Sequence, residues 1–187
     1  KSLMRWIVLS RPYSLSSRVE SGNEADAPQL GESPRFARFY PRQMQAEQLY
    51  ESLLTATRAD RGDGEEAARR RDRWLSQFVV AFGTDEGDDA TTFNGSIPQV
   101  LMLFNGDLIK TATRLEQGGF LDDVADGGGR NRDKINAVYQ AALSRYPSPQ
   151  EVKVANQLLY ARQGKAAEAL QDVWWALLNS NEFILIH

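Results

Sequence analysis

The segment Ser148-Pro149-Gln150-Glu151 constrains the fold more than any other feature of this 187-residue sequence. A serine followed three residues later by glutamate is a capping box, and proline suits the first helical position, so both signals predict that a helix begins here. Apolar residues recur at three- and four-residue steps on both sides of this start and again after Lys165, which predicts two further helices, from about Arg132 and from about Lys165. The positions expected to face the interior are Ile135, Val138, Tyr139, Ala142, Leu143, Tyr146, Val152, Ala155, Leu158, Leu159, Leu170, Val173, Trp174, Leu177 and Leu178. The apolar tail 183–186 is also expected to be buried.

The preceding two thirds of the chain show the same spacing in shorter segments. Helices are predicted from Pro41 and from about Glu65, and Ser96 and Asp107 are predicted to be the N-caps of two more. Glycines are expected to end the last three of them, and residues 122–130, which contain Gly127-Gly128-Gly129, are expected to form a loop. The apolar positions on these helices are Ala46, Leu49, Tyr50, Leu53, Leu54, Thr57, Trp74, Leu75, Phe78, Val79, Phe82, Val100, Leu101, Phe104, Leu108, Ile109, Ala112 and Leu115.

The N-terminal segment, residues 2–10, is apolar on most sides and is stopped by Pro12, so we interpret it as the end of a buried helix. It is far shorter than the roughly 20 residues that span a bilayer, and no small-residue cleavage site follows it. Because Lys1 begins inside a helical pattern without an initiator methionine, we expect the chain to be a piece of a larger protein. Residues 13–40 are predicted to form a long loop, with Phe36, Phe39 and Tyr40 as its apolar anchors.

These patterns together predict the fold class and the domain organisation. With 42% hydrophobic residues the chain has enough apolar material for one core. No segment shows strand alternation flanked by hairpin turns. We expect an all-α protein, an irregular helical bundle of about seven helices with a long N-terminal loop. Residues 1–187 would form a single helical domain, in which residues 131–187 are a candidate sub-module.

Composition excludes several classes of active site. The chain has no cysteine, which removes disulfides, thiolate metal sites and cysteine nucleophiles, and its one histidine is His187. The formal net charge is −3, so there is no bulk attraction to a polyanion. Arginines 69–71 precede Trp74 and could suggest a nucleic-acid stripe, but acidic neighbours favour a solvated helix face with local ion pairs. No catalytic, cofactor or metal residue is assigned.

Two acidic or glycine-rich stretches carry equally weak signals. Residues 85–89 are acidic but lack the spacing of a calcium loop, and Asp122, Asp123 and Asp126 give no better pattern. The triple glycine at 127–129 has neither the preceding strand nor the lysine placement of a phosphate-binding loop. We interpret all of them as solvated loops, and expect neither a metal nor a nucleotide.

A carbohydrate-active or metal-assisted hydrolase that uses carboxylates is the alternative. It requires acids such as Glu47, Asp107 and Glu182 to converge in a concave pocket, and no spacing in the sequence proposes a pair. Structural explanations compete with that hypothesis. Asn105 before Gly106 stops a helix, Asn181 and Glu182 bond the final helix end, Arg42 and Glu47 form a buried ion pair, and Trp74, Trp174 and Trp175 belong to the core.

Four strings of the chain resemble a large domain-of-unknown-function family that lies C-terminal to cytochrome-c-like and other domains in secreted or surface proteins of planctomycetes. The strings are residues 3–17 (LMRWIVLSRPYSLSS), 41–53 (PRQMQAEQLYESL), 93–101 (FNGSIPQVL) and 178–184 (LNSNEFI). The last 55 residues also look like a helical module of bacterial extracellular proteins, with a Tyr-x-x-x-Leu-x-Arg-x-Pro start and an Asn/Ser-Glu-Phe end.

The resemblance implies an extracytoplasmic location, periplasmic or at the cell surface, but no activity. It also implies that the partners are other domains of the parent polypeptide, with a cytochrome-c-like domain as a candidate. Any haem would belong to that upstream part, because this chain has no Cys-x-x-Cys-His. We therefore expect a structural or interaction domain without a catalytic site. A docking module for electron transfer is a third hypothesis.

Overall fold

A computed structural model describes residues 1–27, 31, 33–62, 64–82, 106–115 and 119–186. The described residues are predominantly helical, which confirms the predicted all-α class. They contain nine α-helices, where about seven were predicted, and one short two-stranded sheet. The predicted helix at Ser96, the acidic stretch 85–89 and His187 lie outside the described residues.

The chain divides into two compact units, and the first contains residues 1–43 and the strand that follows the last helix. Its elements are α1 (Ser2–Val8), a 3-10 helix (Arg11–Ser14), β1 (Arg42–Gln43) and β2 (Leu185–Ile186). The two strands pair antiparallel, with Arg42 opposite Ile186. Helix α1 forms as predicted, but its burial was wrong, because none of its residues is buried within the described chain. Phe36 is exposed as well, against expectation, although its ring centroid lies 5.6 Å from that of Tyr40, whereas Phe39 and Tyr40 are half-buried.

The second unit holds the remaining helices and the core. They are α2 (Ala46–Thr57), α3 (Glu65–Phe82), α4 (Asp107–Thr113), α5 (Phe120–Asp126), α6 (Asn131–Leu143), α7 (Pro149–Ala161), α8 (Ala166–Leu178) and α9 (Asn181–Ile184). Helix α8 packs against α4, α5, α6, α7 and α9, and α2 packs against α3, α4 and α6. An apolar face on each helix at 3.6-residue spacing gives one common interior.

Trp174 is the largest fully buried side chain and lies at the centre of this interior. Its indole Nε1–H donates to the carbonyl of Ala112 at 3.0 Å, and its ring centroid lies 4.9 Å from that of Phe120. The neighbouring Gln171 donates through Nε2 to the carbonyl of Thr113 at 2.7 Å. Carbonyls at the C-terminal end of an α-helix have no amide partner within that helix. Side chains of α8 donate hydrogen bonds to two such carbonyls at the end of α4.

Several predicted boundaries were wrong. The helix expected at Pro41 begins at Ala46, because Arg42–Gln43 is extended and the Gln48 side chain accepts a hydrogen bond from the Gln45 N–H at 3.1 Å. Gly106, not Asp107, is the N-cap of α4. Residues 122–126, expected in a loop, belong to helix α5, which buries Phe120 and Leu121 against α8.

The predicted capping box at the start of α7 is confirmed. Ser148 Oγ accepts from the Glu151 N–H at 3.3 Å, and Glu151 Oε2 accepts from the Ser148 N–H at 2.6 Å. Burial of Phe183 and Ile184 in the tail is confirmed too. Tyr146 is exposed, against expectation, because α6 already ends at Leu143 and Ser144 turns the chain through a left-handed conformation, with φ at 54°.

Candidate functional site

An ion cluster formed by Arg145, Glu151 and Glu182 in the second unit is the first of three candidate sites. Arg145 donates through Nε to Glu182 Oε1 at 2.5 Å and through Nη2 to Glu182 Oε2 at 2.7 Å. The same guanidinium donates through Nη1 and Nη2 to the two oxygens of Glu151, at 3.0 and 2.8 Å. One arginine thus binds two carboxylates in bidentate fashion, the strongest geometry available to such a pair.

The environment of this Arg145 ion cluster stabilises its charged forms. Hydrogen bonds to Glu182 and Glu151 raise the pKa of the Arg145 guanidinium further above its ordinary value. Hydrogen bonds from Arg145 lower the pKa of Glu151 from 4.5 to about 2, against the opposing effect of burial. The guanidinium carbon also lies 5.6 Å from the ring centroid of Tyr139, whose hydroxyl pKa is raised by burial.

The Arg145 ion cluster joins three elements that are distant in sequence. Arg145 follows α6, Glu151 lies in the first turn of α7, and Glu182 lies in α9. Glu151 also caps α7 by accepting a hydrogen bond from the Ser148 N–H, so both of its oxygens already accept hydrogen bonds within the fold. One cation pairs with two carboxylates in this cluster, and we interpret it as a set of tertiary contacts that holds the last third of the chain together.

The second grouping orders the long loop of the first unit around Asp26, which is only 2% exposed. Asp26 Oδ1 accepts from the Tyr40 hydroxyl at 2.5 Å and from the Arg35 N–H at 3.0 Å, while Oδ2 accepts from the Ala37 N–H at 2.7 Å. The buried Arg38 donates through Nε to the Asp26 carbonyl at 3.3 Å. Residues 26 and 35–40 are therefore held by one carboxylate.

Ionisation of Asp26 is favoured by the same contacts. Burial by itself would raise its pKa, but the hydrogen bonds from Tyr40, Arg35 and Ala37, with the charge of Arg38, hold the pKa below its ordinary value. Burial and the bond to Asp26 raise the pKa of the Tyr40 phenol. A carboxylate that is surrounded by its own donors and kept ionised serves as a loop anchor rather than as a proton donor.

The third grouping is a surface on α1 and the residue that follows it, which we name the N-terminal apolar surface. Its members are Leu3, Met4, Trp6, Ile7, Val8 and Leu9. Each is between 51% and 72% exposed, and Tyr13 beside them is also exposed. Contiguous exposed apolar side chains of this size are uncommon on soluble proteins and mark contact surfaces.

The charged residues among the first 19 positions, which include the N-terminal apolar surface, all have one sign. The first 19 residues contain four basic side chains, Lys1, Arg5, Arg11 and Arg18, and no acidic one, although the chain as a whole carries a net charge of −3. This segment therefore combines exposed apolar area with a local positive charge, which favours a partner with negative charge near an apolar contact.

The residues proposed for carboxylate chemistry have separate roles. Glu47 and Asp107 are exposed, at the starts of α2 and α4, whereas Glu182 belongs to the Arg145 ion cluster. Within the described ranges, no group of three or more His, Asp or Glu side chains is placed to hold a metal ion. Arg42 is exposed like Glu47, so the predicted buried ion pair between them was wrong.

The residues considered for nucleic-acid or sugar stacking lie mostly inside. Trp74 and Trp174 are core residues, as expected, whereas Trp175 is 39% exposed, so its predicted place in the core was wrong. The predicted local ion pairs of the arginine run are confirmed: Arg69 binds Glu65 at 2.5 Å and Arg71 binds Asp60 at 3.5 Å. Arg70 lies over the buried face of Trp74, so this indole is not available for stacking.

Glu182 was a candidate from the sequence. Arg145, its pairing with Glu151, and Asp26 were not predicted. A signal for Arg145 exists in the Tyr-x-x-x-Leu-x-Arg-x-Pro string, which contains both Tyr139 and Arg145. No local pattern marks Asp26, since its partners lie 9 to 14 residues further along an irregular loop.

No helix among those described is both long and apolar enough to cross a bilayer. Comparison of the chain with protein-family models, with curated proteins and with solved structures gives no match. The resemblance to the planctomycete family therefore stays a prediction carried by the four strings.

Proposed function

We propose that the chain is a structural and interaction domain of an extracytoplasmic multidomain protein, and that it contacts its partner through the N-terminal apolar surface. The single observation behind this proposal is the exposure of an entire apolar helix, α1, whose residues have the composition of a buried one. Exposing this area to water is unfavourable, so a partner that covers it is stabilised by the hydrophobic effect.

The way the described charged groups are used supports the same proposal. The polar side chains of the Arg145 ion cluster and of the Asp26 loop anchor bind each other within the chain, so they stabilise the fold. The N-terminal apolar surface and its basic flank, by contrast, are exposed to an external partner. Other domains of the same polypeptide are the partners that the resemblance suggests, a cytochrome-c-like domain among them, and the same resemblance suggests the periplasm or cell surface.

Hydrogen–deuterium exchange tests the proposal on the isolated 187-residue chain and on the full-length polypeptide that its gene encodes. We expect residues 2–14 to exchange fast in the isolated chain and at least about tenfold more slowly in the full-length protein, because docking protects the α1 amides. Residues 160–164 are the matched control, since they are exposed, end α7 at Tyr160 and contain no residue of the N-terminal apolar surface. Equal exchange of residues 2–14 in both proteins would refute the proposal.

A further inference from the structure

We propose that α1 inserts into an apolar groove of its partner domain, and that this groove carries carboxylates at its rim which pair with Arg5. This inference rests on the proposed function and deepens it. It specifies the chemistry of the partner that covers the N-terminal apolar surface. The occupant is thus a protein groove, rather than a lipid surface or a second copy of the chain.

The angular distribution of the apolar residues favours a groove. Successive residues of an α-helix are 100° apart, so the five apolar side chains at positions 3, 4, 6, 7 and 8 cover an arc of about 200°. A helix that lies on one flat surface needs an apolar stripe of about 100°. An arc twice as wide is covered only when the partner contacts the helix on more than one side, as in helix-in-groove recognition.

The charges favour a partner with acidic groups over a second copy. Arg5 lies opposite the centre of the apolar arc, and the other charged side chains of the first 19 residues are also basic. A symmetric contact between two α1 helices would cover each helix on one side only, and it would offer Arg5 no acidic partner. A groove whose open edge presents Asp or Glu compensates Arg5 while its floor covers Leu3 and Ile7.

Photo-crosslinking in the full-length polypeptide tests this inference. p-Benzoylphenylalanine replaces Trp6 in one protein and Tyr160, which is 89% exposed, in the control. After irradiation, peptide mapping identifies what each probe has contacted. We expect the probe at position 6 to form one protein adduct, at apolar residues of another domain that have carboxylates nearby, and the probe at position 160 to form none.

Charge reversal separates the inference from the function on which it rests. We expect Arg5→Glu to lower the adduct yield about tenfold and a compensating Asp or Glu→Lys change in the mapped groove to restore it, because a reversed interfacial pair is repulsive. Arg73→Glu, an exposed arginine on α3, should leave the yield unchanged.

Each outcome decides one of the two proposals. A position-6 adduct that is insensitive to Arg5→Glu would overturn the acidic rim alone, and the interaction surface would stand. An adduct to lipid or to a second copy would overturn the groove. No adduct at position 6, together with unprotected α1 amides, would overturn the interaction function itself.

Discussion

The Arg145→Met variant should destabilise the second unit, and the size of the effect follows from the geometry of the Arg145 ion cluster. A pKa of about 2 for Glu151 instead of 4.5 corresponds to about 3 kcal/mol at neutral pH if the unfolded chain has the ordinary value. The three side chains are still about one third exposed, and screening by solvent reduces this figure to about 1–2 kcal/mol. Loss of Arg145 also leaves two partly buried carboxylates facing each other, so we expect a total loss of about 2 kcal/mol.

Urea unfolding, followed by tryptophan fluorescence and by circular dichroism at pH 7, measures this loss without the screening that guanidinium chloride would add. Arg69→Met is the matched control, because the Arg69–Glu65 pair has the same 2.5 Å separation as Arg145–Glu182 but its side chains are 72% and 81% exposed. We expect the control to lose less than about 0.5 kcal/mol. A double-mutant cycle of Arg145→Met with Glu182→Gln should give a coupling energy of about 1–2 kcal/mol.

The pH dependence gives a second, independent measure. Because the pKa of Glu151 is lower in the folded state, its contribution is complete above pH 4.5 and is lost as the pH falls toward 2. The difference in unfolding free energy between the unmodified chain and Arg145→Met should therefore shrink over this range. Equal losses for Arg145→Met and Arg69→Met at pH 7, or a difference that stays constant from pH 7 to pH 2.5, would refute the reasoning.

Three further predictions concern single contacts. Ser144→Gly should raise the unfolding free energy by about 1 kcal/mol by relieving the left-handed C-cap of α6, whereas Ser76→Gly inside α3 should lower it by a similar amount; the same sign in both urea titrations would contradict this. Trp174→Phe should cost about 3 kcal/mol through a cavity and an unpaired Ala112 carbonyl, and the neighbouring Trp175→Phe less than about 1 kcal/mol; equal losses in thermal unfolding would argue against the central position of Trp174. Asp26→Asn should accelerate amide exchange at Ala37 and Arg35, and in the unmodified chain the protection of these amides should decline as the pH falls below 3.8, because the pKa of Asp26 is lowered in the folded state. Protection that is independent of pH, measured by quenched exchange, would show that Asp26 does not hold the loop.

Local signals in the sequence were sufficient for part of the fold. The start of α7 was predicted to the residue because the capping box and proline act within four residues of each other. The class was predicted correctly for a similar reason, since 3.6-residue spacing reports the face that a helix buries. It does not report which surface covers that face, and the predicted burial of α1 was wrong for this reason.

The errors arose where tertiary contacts override local preference. Residues 122–126 were predicted to form a loop because the segment is rich in acids and glycines. They are helical because Phe120 and Leu121, in the same helix, pack against α8. Tyr146 continues the 3.6-residue apolar spacing of α6 in the sequence. The left-handed conformation of Ser144 ends the helix before position 146, so Tyr146 does not join the buried face. The Arg145 ion cluster was not predicted because Arg145 and Glu182 are 37 residues apart, and only the packing of α9 on α6 brings them together.

The fold explains some of the strings that carry the family resemblance and leaves the N-terminal string unexplained. In the last third, the Tyr139 ring lies beside the Arg145 guanidinium, which binds Glu182, so these residues are spaced as the fold of α6 and α9 requires. The fold alone accounts for the spacing of these residues. The string at residues 3–17 has no such explanation, because its apolar side chains contact little within the described chain. A sequence feature that folding does not require, and that exposes Trp6 at a cost in free energy, is where a function in binding should be sought.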